Sequence, residues 1–352
     1  MEETAVAIVY NSPVGPEGFA CEASRDVLEQ VEAVRLSLMR LGIPSVSVAL
    51  TRDVRAFVET LMEQRIRYAF NLAESVDENP ELVWHPAAVM EILGVIYTGS
   101  PPMALAVTTD KVLTKHLLEA NGIRTPKHIA YEGRWPDDLA DLRYPIIVKP
   151  RFQDASVGIE QDSIVTEENQ LRQKLPELFG RFGSLLLEEY TVGREFNISL
   201  FGYPTPQVLP IAEICFDNFP ADLYRIVGYK AKWRRDSVEY LNTPRMFPSD
   251  LSKALEKRIC QTAMHCFQCF RLRDYGRVDM RVDPSGVLYV LEINANPCIS
   301  PDSGLPAALA QGGVGYQEFV KRLVDFLRMR EKAGRVLCQG QGYEKPERAH
   351  LE

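Results

Sequence analysis

The sequence predicts an α/β protein with a small parallel sheet in its N-terminal part and mixed or antiparallel sheets later in the chain. Apolar strand patterns alternate with helical patterns from Ala5 to Leu72 in the order β-α-β-α-β, which is typical of a parallel sheet. Two alternating strand patterns, at 275–283 and from Tyr289 onward, flank the turn Pro284-Ser-Gly286 and predict an antiparallel hairpin. At 352 residues the chain is long enough for two or three domains.

The N-terminal elements follow each other with short connections. We expect a strand at 5–10, a Gly/Pro loop at 11–18, a helix at 24–40, a strand at 45–50, a helix at 54–65 and a strand at 68–72. No G-x-G-x-x-G motif follows the first strand, so this part lacks the signature of a dinucleotide-binding fold.

Helical and strand patterns continue to residue 330. We expect helices at 85–94, 103–120, 255–270 and 316–330, and strands at 95–98, 144–150, 185–190 and 195–201. The stretch 217–242 has weak periodicity and is expected to be a long, partly ordered loop. The breaks in the pattern predict domains at 1–99, 100–186 and 187–331, followed by a flexible polar tail at 332–352.

Composition and charge are those of a soluble globular protein. The 46% hydrophobic content can supply sizeable cores, and the net charge of −8 argues against nucleic acid or an anionic membrane as the main partner. No apolar run reaches membrane-spanning length, and the polar start Met1-Glu-Glu-Thr4 is not a signal peptide. We therefore expect a cytoplasmic location.

The seven cysteines do not resemble a disulfide framework, since their number is odd and they are scattered. Cys260, His265, Cys266 and Cys269 invite a metal interpretation. Their segment has apolar residues at helical spacing, however, and no second Cys pair completes a zinc site. We therefore expect buried cysteines on a helix.

The strongest chemical signal is the hairpin. A four-residue turn at 283–286 predicts the cross-strand pairs Val282–Val287, Asp279–Val290 and Arg277–Glu292. One face then carries Arg277, Asp279, Glu292 and Asn294, and the other carries Val278, Met280, Val282, Tyr289, Leu291 and Ile293. Oxygen ligands beside an arginine are what a Mg²⁺–polyphosphate site requires. The alternative, a surface hairpin with a few charges, does not explain why the polar groups share one face.

Three further segments are ambiguous when taken singly. Lys149 ends an apolar strand before a loop rich in small residues, where an ammonium and backbone N–H groups suit a phosphate. Lys111 stands on a helix and has the same ambiguity. Glu188-Glu-Tyr190 ends another strand, whose edge could meet a purine and a ribose. Lysines and carboxylates are also common at solvated strand ends, so no single segment is decisive.

The order of these segments along the chain carries a resemblance. The segments are Tyr97-Thr-Gly-Ser100, Asp110-Lys111, Ile147-Val-Lys-Pro150, Ser156-Val-Gly158, Glu188-Glu-Tyr190, Gly193-Arg-Glu-Phe196, Ala231-Lys232, Gly276-Arg-Val-Asp279 and Leu291-Glu-Ile-Asn-Ala-Asn-Pro297. As a set they resemble the ATP-grasp superfamily and, within it, the D-alanine–D-alanine ligase-like branch. The resemblance implies an α+β ATP-grasp fold with ATP between a central lobe and a C-terminal lobe, and it covers nearly the whole chain.

The resemblance also implies roles for individual residues. Those implied for the nucleotide are Lys111, Lys149 and Lys232 on the phosphates, Ser156, Val157 and Gly158 in a mobile lid, Glu188, Glu189, Tyr190 and Thr191 around the adenine, and Glu195 on the ribose. Leu291 is implied as a further nucleotide-binding residue. Asp279, Glu292 and Asn294 would bind two Mg²⁺ ions, for which Mn²⁺ is a possible substitute. Arg277 would face the reacting centre, with Lys232 and Ser156 as further catalytic residues.

The residues implied for the substrates depart from the family pattern. Phe70-Asn-Leu-Ala-Glu-Ser75 replaces a His-Gly-rich acidic motif, Ala155 replaces a serine, Trp233 a tyrosine and Cys298 a glycine, whereas Ser303 is retained. Glu22 lies near the family's acidic residue for the first substrate's ammonium group. The predicted substrate residues are Glu22, Trp233, Arg277, Cys298, Ser300, Ser303 and Gly304. Trp233 is equally well explained as a packing residue.

These observations lead to one hypothesis and two alternatives. We expect an ADP-forming ligase that phosphorylates an acid and couples it to the amine of an amino acid, in peptide-like or secondary-metabolite biosynthesis. A genuine D-alanine–D-alanine ligase of cell-wall synthesis with a divergent first subsite is one alternative, and an inactive nucleotide-binding regulator is the other. The expected partners are small molecules and, as is common in this family, a second copy of the chain.

Overall fold

Three sheets organise the chain. The computed structural model describes residues 5–13 and 21–340, with the backbone alone described for 21–24 and 334–340. A parallel sheet comes first and two antiparallel sheets follow, as the hydrophobic patterns predict. The mixed α/β class is therefore confirmed.

The first sheet contains β1 (Val6–Asn11), β2 (Ser45–Leu50), β3 (Tyr68–Asn71) and β4 (Ile96–Tyr97). These strands are parallel, in the order β2-β1-β3-β4. The helices between them are α1 (Cys21–Arg40), α2 (Val54–Glu63) and α3 (His85–Ile92), and a short 3₁₀ turn spans Pro80–Leu82. Beyond α1 the chain turns at Gly42, whose φ of +70° suits glycine.

The second sheet contains β5 (His128–Tyr131), β6 (Ile146–Pro150), β7 (Ile164–Val165) and β8 (Leu185–Glu189). Its strands are antiparallel, in the order β5-β8-β6-β7. The helices α4 (Pro102–Thr109) and α5 (Lys111–Ala120) precede it, and α6 (Glu168–Phe182) crosses it between β7 and β8. Two further 3₁₀ turns span Leu139–Asp141 and Gln161–Ser163.

The prediction of a single helix at 103–120 is wrong, because the helical conformation is interrupted at Asp110. Asp110 is extended, with ψ at 100°, and its carboxylate caps α5 by accepting from the Val112 and Leu113 N–H groups. The Arg151 guanidinium donates to both oxygens of the same carboxylate, at 2.7 and 2.6 Å. The cap therefore also joins α5 to the loop after β6.

The third sheet contains β9 (Arg194–Gly202), β10 (Gln207–Val208), β11 (Ala212–Ile214), β12 (Arg245–Met246), β13 (Asp274–Val282) and β14 (Leu288–Asn294). Its order is β12-β11-β9-β13-β14, with β10 paired to β9. The helices of this part are α7 (Tyr229–Trp233), α8 (Val238–Leu241), α9 (Lys253–Cys269), α10 (Gly304–Gln311) and α11 (Tyr316–Gly340).

Two sequence-based expectations differ from this part of the structure. The stretch 217–242, predicted as a loop, contains α7 and α8, and the Ser237 hydroxyl caps α8 by accepting from the Tyr240 N–H. The last helix continues from the predicted end at Arg330 to Gly340. The rest of the predicted tail, 341–352, lies outside the described residues.

The hairpin register is also different from the predicted one. The pairs are Val282–Leu288, Met280–Val290, Asp279–Glu292 and Arg277–Asn294. The turn spans five residues, 283–287, and not four, and a β-bulge at Leu291 then shifts the register by one further residue. The predicted polar face is still assembled. On the apolar face, however, Val290 is buried in place of Tyr289 and Leu291, which are partly exposed. The five-residue turn is the reason, since a one-residue shift reverses the direction of the side chains.

The cysteine-bearing helix is α9, where Cys266 is buried and Cys260 and Cys269 are half-buried free thiols. His265 is exposed on the same helix. None of the helices in the described ranges is both long and apolar enough to cross a membrane.

The first and last parts of the chain share one core. Apolar residues of β1, β3 and α1 pack together with those of α10 and α11. A buried ion pair reinforces this contact: the Arg330 guanidinium donates to both Asp274 oxygens, at 2.5 and 3.1 Å, and to the Tyr97 carbonyl at 2.7 Å. The Asp274 carboxylate also accepts from the Gly99 N–H at 2.9 Å. Asp274 therefore joins the third sheet to the end of the first.

We expect Asp274→Asn to lower the free energy of unfolding by about 3–5 kcal/mol, because the Arg330 charge stays buried without its partner. Urea unfolding followed by circular dichroism measures this change. Asp325→Asn, which breaks the exposed Lys321–Asp325 pair on α11, is the control and should cost less than about 1 kcal/mol. Equal, small losses in both variants would contradict a joining role for Asp274.

Candidate active site

Two cavities adjoin each other at the polar face of the hairpin. The larger, of about 920 Å³, lies between the second and third sheets, and the smaller, of about 340 Å³, lies toward the carboxyl ends of the first sheet. Residues that line both are Asp26, Gln153, Asp154, Ala155, Lys232, Trp233, Arg277, Asn294 and Cys298. A group bound in one cavity can therefore reach a group bound in the other.

The hairpin brings Arg277, Asp279, Glu292 and Asn294 together. The Arg277 guanidinium donates to both Asp279 oxygens, at 2.8 and 2.9 Å, and the Asn294 amide donates to one of them at 3.2 Å. Asn197 on β9 donates to the other oxygen at 2.8 Å. Burial opposes the charge of Arg277, but the carboxylates of Asp279 and Glu292 raise its pKa above the usual range.

Glu292 has a different environment, since no side chain of the described ranges donates a hydrogen bond to it. Burial raises the pKa of this carboxyl group. A half-buried carboxylate without a hydrogen-bond donor, opposite Asp279 in the hairpin and beside the Asn294 amide, fits a cation with hard oxygen ligands such as Mg²⁺. Among the described residues no group of three or more His, Cys, Asp or Glu side chains could hold a metal, so the amide is a necessary part of the donor set.

Lysines line the opposite wall of the larger cavity. Lys149 at the end of β6 contacts the Glu188 carboxylate at 2.8 Å, and Lys111 at the start of α5 contacts the Gln153 carbonyl. Glu188 is also in contact with Lys115, a buried lysine on α5 that the sequence interpretation did not single out. Burial opposes ionisation of Glu188, but the two ammonium groups lower its pKa to about 2.

The residues expected around adenine and ribose lie on β8 and β9. Glu195 accepts from the Arg281 guanidinium at 2.6 Å, and Arg281 also donates to the Thr191 carbonyl at 2.6 Å. Tyr190 lines the larger cavity beside them. Glu189 faces away from the cavity and contacts Arg143 at 3.0 Å, so the structure does not bring it into the site.

The predicted lid is folded against the loop that carries Lys232. The Trp233 indole N–H donates to the Ala155 carbonyl at 2.9 Å, and the Ser156 hydroxyl donates to the Val227 carbonyl at 2.8 Å. Val157 packs in the same apolar cluster as Trp233. Ala155 and Ser156 both have positive φ, at 55° and 61°, a conformation that side-chain-bearing residues rarely adopt. Trp233 thus has a hydrogen-bonding role as well as a packing one.

The smaller cavity has an acidic end. The Cys298 thiol donates to Asp26 at 2.9 Å, and the Ser300 hydroxyl donates to the other Asp26 oxygen at 3.2 Å. Gln30 bridges this group to Glu74, donating to the Glu74 carboxylate at 2.8 Å. Burial raises the pKa of Glu74 to about 7 and that of the Cys298 thiol to about 12, so the thiol is protonated at neutral pH.

Ser303 and Gly304 lie at the far end of the larger cavity, where α10 begins. The Ser303 hydroxyl donates to the Cys298 carbonyl at 2.7 Å. Arg245 on β12 also lines this end, and its guanidinium donates to the Asp302 carbonyl at 3.3 Å. Arg245 is exposed and forms no salt bridge with any described residue, so its guanidinium is available to a ligand at this end of the cavity.

Most of the predicted site residues line the larger cavity. These are Lys111, Lys149, Ser156, Glu188, Tyr190, Thr191, Glu195, Lys232, Trp233, Arg277, Asp279, Leu291, Glu292, Asn294, Cys298, Ser303 and Gly304. Val157 lines the smaller cavity, while Gly158, Glu189 and Ser300 line neither. The side chain of Glu22, the predicted ammonium ligand, lies outside the described residues.

Several site residues were missed in the sequence interpretation. Lys115 lies one helical turn from Lys111, and Arg281 and Asn197 lie two strand residues from Asp279 and Glu195, so the periodicity of helix and strand could have identified them. Asp26 and Glu74 could not be identified in this way. They meet only because α1 packs beside the loop after β3.

Comparison with known proteins places the chain in a family. Residues 124–325 match the family model described as D-ala D-ala ligase C-terminus. An uncharacterized protein of Sinorhizobium fredii is 32% identical over 74% of either chain. The D-alanine–D-alanine ligase of Chromohalobacter salexigens is 29% identical over 83% of this chain and 87% of its own. That of Carboxydothermus hydrogenoformans is 28% identical over 83% of this chain and 90% of its own.

Solved structures share the fold. D-alanine–D-alanine ligase from Bacillus anthracis complexed with ATP aligns with a TM-score of 0.74 at 22% identity, over 94% of this chain and 100% of that one. The D-alanine–D-alanine ligase from Coxiella burnetii aligns with a TM-score of 0.68 at 17% identity, over 96% of this chain and 97% of that one. Because the family model spans more than half of the sequence, the chain belongs to the D-alanine–D-alanine ligase-like family of ATP-grasp enzymes, ligases that form C–N bonds.

Proposed function

We propose that this protein is an ATP- and Mg²⁺-dependent, ADP-forming ligase that joins an acid other than D-alanine to the amine of an amino acid. A free carboxylate is a poor electrophile, so the acid would be activated as an acyl phosphate, and the amine would then displace the phosphate. The observation that carries the proposal is the position of Arg277, Asp279, Glu292 and Asn294 where the two cavities meet.

We assign the nucleotide to the larger cavity. Lys111, Lys149 and Lys232 place three ammonium groups along it, which suits a polyphosphate. Asp279, Glu292 and Asn294 would hold Mg²⁺, which would neutralise phosphate charge during transfer. The Glu195 carboxylate would serve the ribose, with Arg281 holding it in place.

We assign the acid to the smaller cavity. We assign the binding of its ammonium group, the role expected of Glu22, to Asp26 and Glu74. The carboxylates of Asp26 and Glu74, which line this cavity, suit an ammonium group on the acid, as in an amino acid or a peptide-like acid. Ala155, Trp233 and Cys298, which depart from the family pattern, all line this cavity. Its walls therefore differ where the first substrate would lie, which supports an acid other than D-alanine.

We assign the amine-bearing amino acid to the far end of the larger cavity. The Arg245 guanidinium, which has no salt-bridge partner among the described residues, and the first N–H groups of α10 both favour a carboxylate there. The amine would then approach the hairpin, where Arg277 can stabilise the negative charge that develops on the attacked carbonyl. The hydrogen bond between Trp233 and Ala155 would keep the lid closed and water out.

ADP release separates this proposal from a genuine D-alanine–D-alanine ligase. We expect little release with ATP, Mg²⁺ and D-alanine alone, and release when an acid and an amine are supplied together from a panel of amino acids and peptide-like acids. Product masses identify the pair. Strong turnover with D-alanine alone would favour cell-wall synthesis, and no release with any pair would favour an inactive regulator.

The metal assignment has its own test. We expect Asp279→Asn to reduce ADP release by more than about 100-fold, since even residues that only support metal ligands often contribute about 10- to 100-fold. A Mg²⁺ titration should show half-saturation at higher concentration in the variant. Asp283→Asn, in the turn of the same hairpin, is the matched control and should behave as the unmodified protein does. Full activity of Asp279→Asn would refute the assignment.

The role of Glu74 predicts a pH dependence. Its pKa of about 7 means that the carboxylate loses its charge as the pH falls through that value, so the KM for an ammonium-bearing acid should rise there. In Glu74→Gln the KM should be high at every pH and this rise should be absent. The KM for ATP over the same pH range is the control. If the KM for the acid rises equally in both proteins, another group is responsible.

A further inference from the structure

Lys115 is a buried lysine whose role neither the motifs nor the cavities explain. It lies on α5, its side chain is 1% exposed, and it does not line the larger cavity. Its ammonium group contacts the Glu188 carboxylate, the Thr125 hydroxyl at 2.7 Å and the Leu291 carbonyl at 3.5 Å. These partners belong to β8, to the loop before β5 and to β14, so Lys115 touches both sheets that enclose the cavity.

Glu188 lies between two lysines of different exposure. Its side chain is 2% exposed and contacts Lys115 from behind and Lys149 from the cavity side, where the Lys149 side chain is 14% exposed. One carboxylate thus faces two ammonium groups, and the three charges leave one positive charge over. Because Lys149 alone of the two lysines lines the cavity, the surplus is available to a ligand there.

We propose that Lys115 is a positioning residue that compensates the charge of Glu188, so that Lys149 remains free to bind the phosphates of a nucleotide. This inference rests on the proposed nucleotide site. Without Lys115, Lys149 is the one ammonium group that contacts Glu188 among the described residues. The two would form a neutral pair, and a phosphate would have to compete with a buried carboxylate for the same ammonium.

The charge argument predicts a non-additive effect. Lys115→Met should weaken the binding of ATP by at least about 10-fold in the unmodified background, and by less than about 2-fold when Glu188 is already Gln. Adenosine has no phosphate, so its binding should weaken less than that of ATP. Lys115→Arg keeps the charge and should bind ATP nearly as the unmodified protein does. A role limited to packing predicts equal losses in both backgrounds.

Isothermal titration calorimetry of the full chain with ATP and with adenosine measures these affinities without turnover. If the unmodified protein does not bind ATP, the proposed function fails and the role of Lys115 with it. If it binds ATP and Lys115→Met binds equally well, the role of Lys115 alone is refuted.

Circular dichroism would reveal whether Lys115→Met folds poorly. In that case a second comparison tests the proposal in its place. Lys115→Met/Glu188→Gln carries no unpaired charge behind the cavity and can be compared with Glu188→Gln alone. Equal ATP affinities in these two proteins support the proposal. A further loss of about 10-fold or more in the double variant overturns it, because Lys115 would then act without its carboxylate partner.

Discussion

The β-bulge at Leu291 is the constraint on which the site depends. Next to the turn, β13 and β14 pair in one register, and beyond the bulge they pair one residue further along. Without the extra residue, Glu292 would pair with Val278 and its side chain would turn toward the core, so the polar face of the hairpin would not form. The bulge also directs the Leu291 side chain to the larger cavity and its carbonyl to Lys115. One irregularity therefore connects the polar face of the hairpin to the buried charges behind it.

Charge compensation is the second organising feature of the site. Arg277 pairs with Asp279, Arg281 with Glu195, and the two lysines with Glu188, because an unpaired charge is costly to bury. Two charged groups at the cavity depart from this pairing. The half-buried Glu292 on the hairpin has no hydrogen-bond donor, and the exposed Arg245 on β12 has no salt-bridge partner, among the described residues. A cation and an anion from the ligands would complete them.

Under the proposed function, the acid and the nucleotide would meet at the junction of the two cavities. The polar hairpin face and Lys111, Lys149 and Lys232 line the larger cavity, and Lys232, Arg277 and Asn294 line the smaller cavity as well. The acid would lie in the smaller cavity, whose walls come from α1, the loop after β3, the lid and the segment after β14. These walls carry Glu74, Ala155, Trp233 and Cys298, and all of these except Glu74 also line the larger cavity.

The sequence by itself determined the order of the elements and the composition of the polar hairpin face, because both follow from local periodicity. It could not determine the five-residue turn, which moved Val290 into the core in place of Leu291, or the bulge, since pairing register is settled between strands. Nor could it identify Asp26 or Glu74 as site residues, or show that Lys115 contacts Glu188. Several of the contacts that define their roles join residues far apart in the sequence: Gln30 and Glu74 are 44 residues apart, Lys115 and Leu291 are 176, and Asp26 and Cys298 are 272. Only the packing of α1, α5 and the sheets decided those contacts, because burial forces each charge to find a partner.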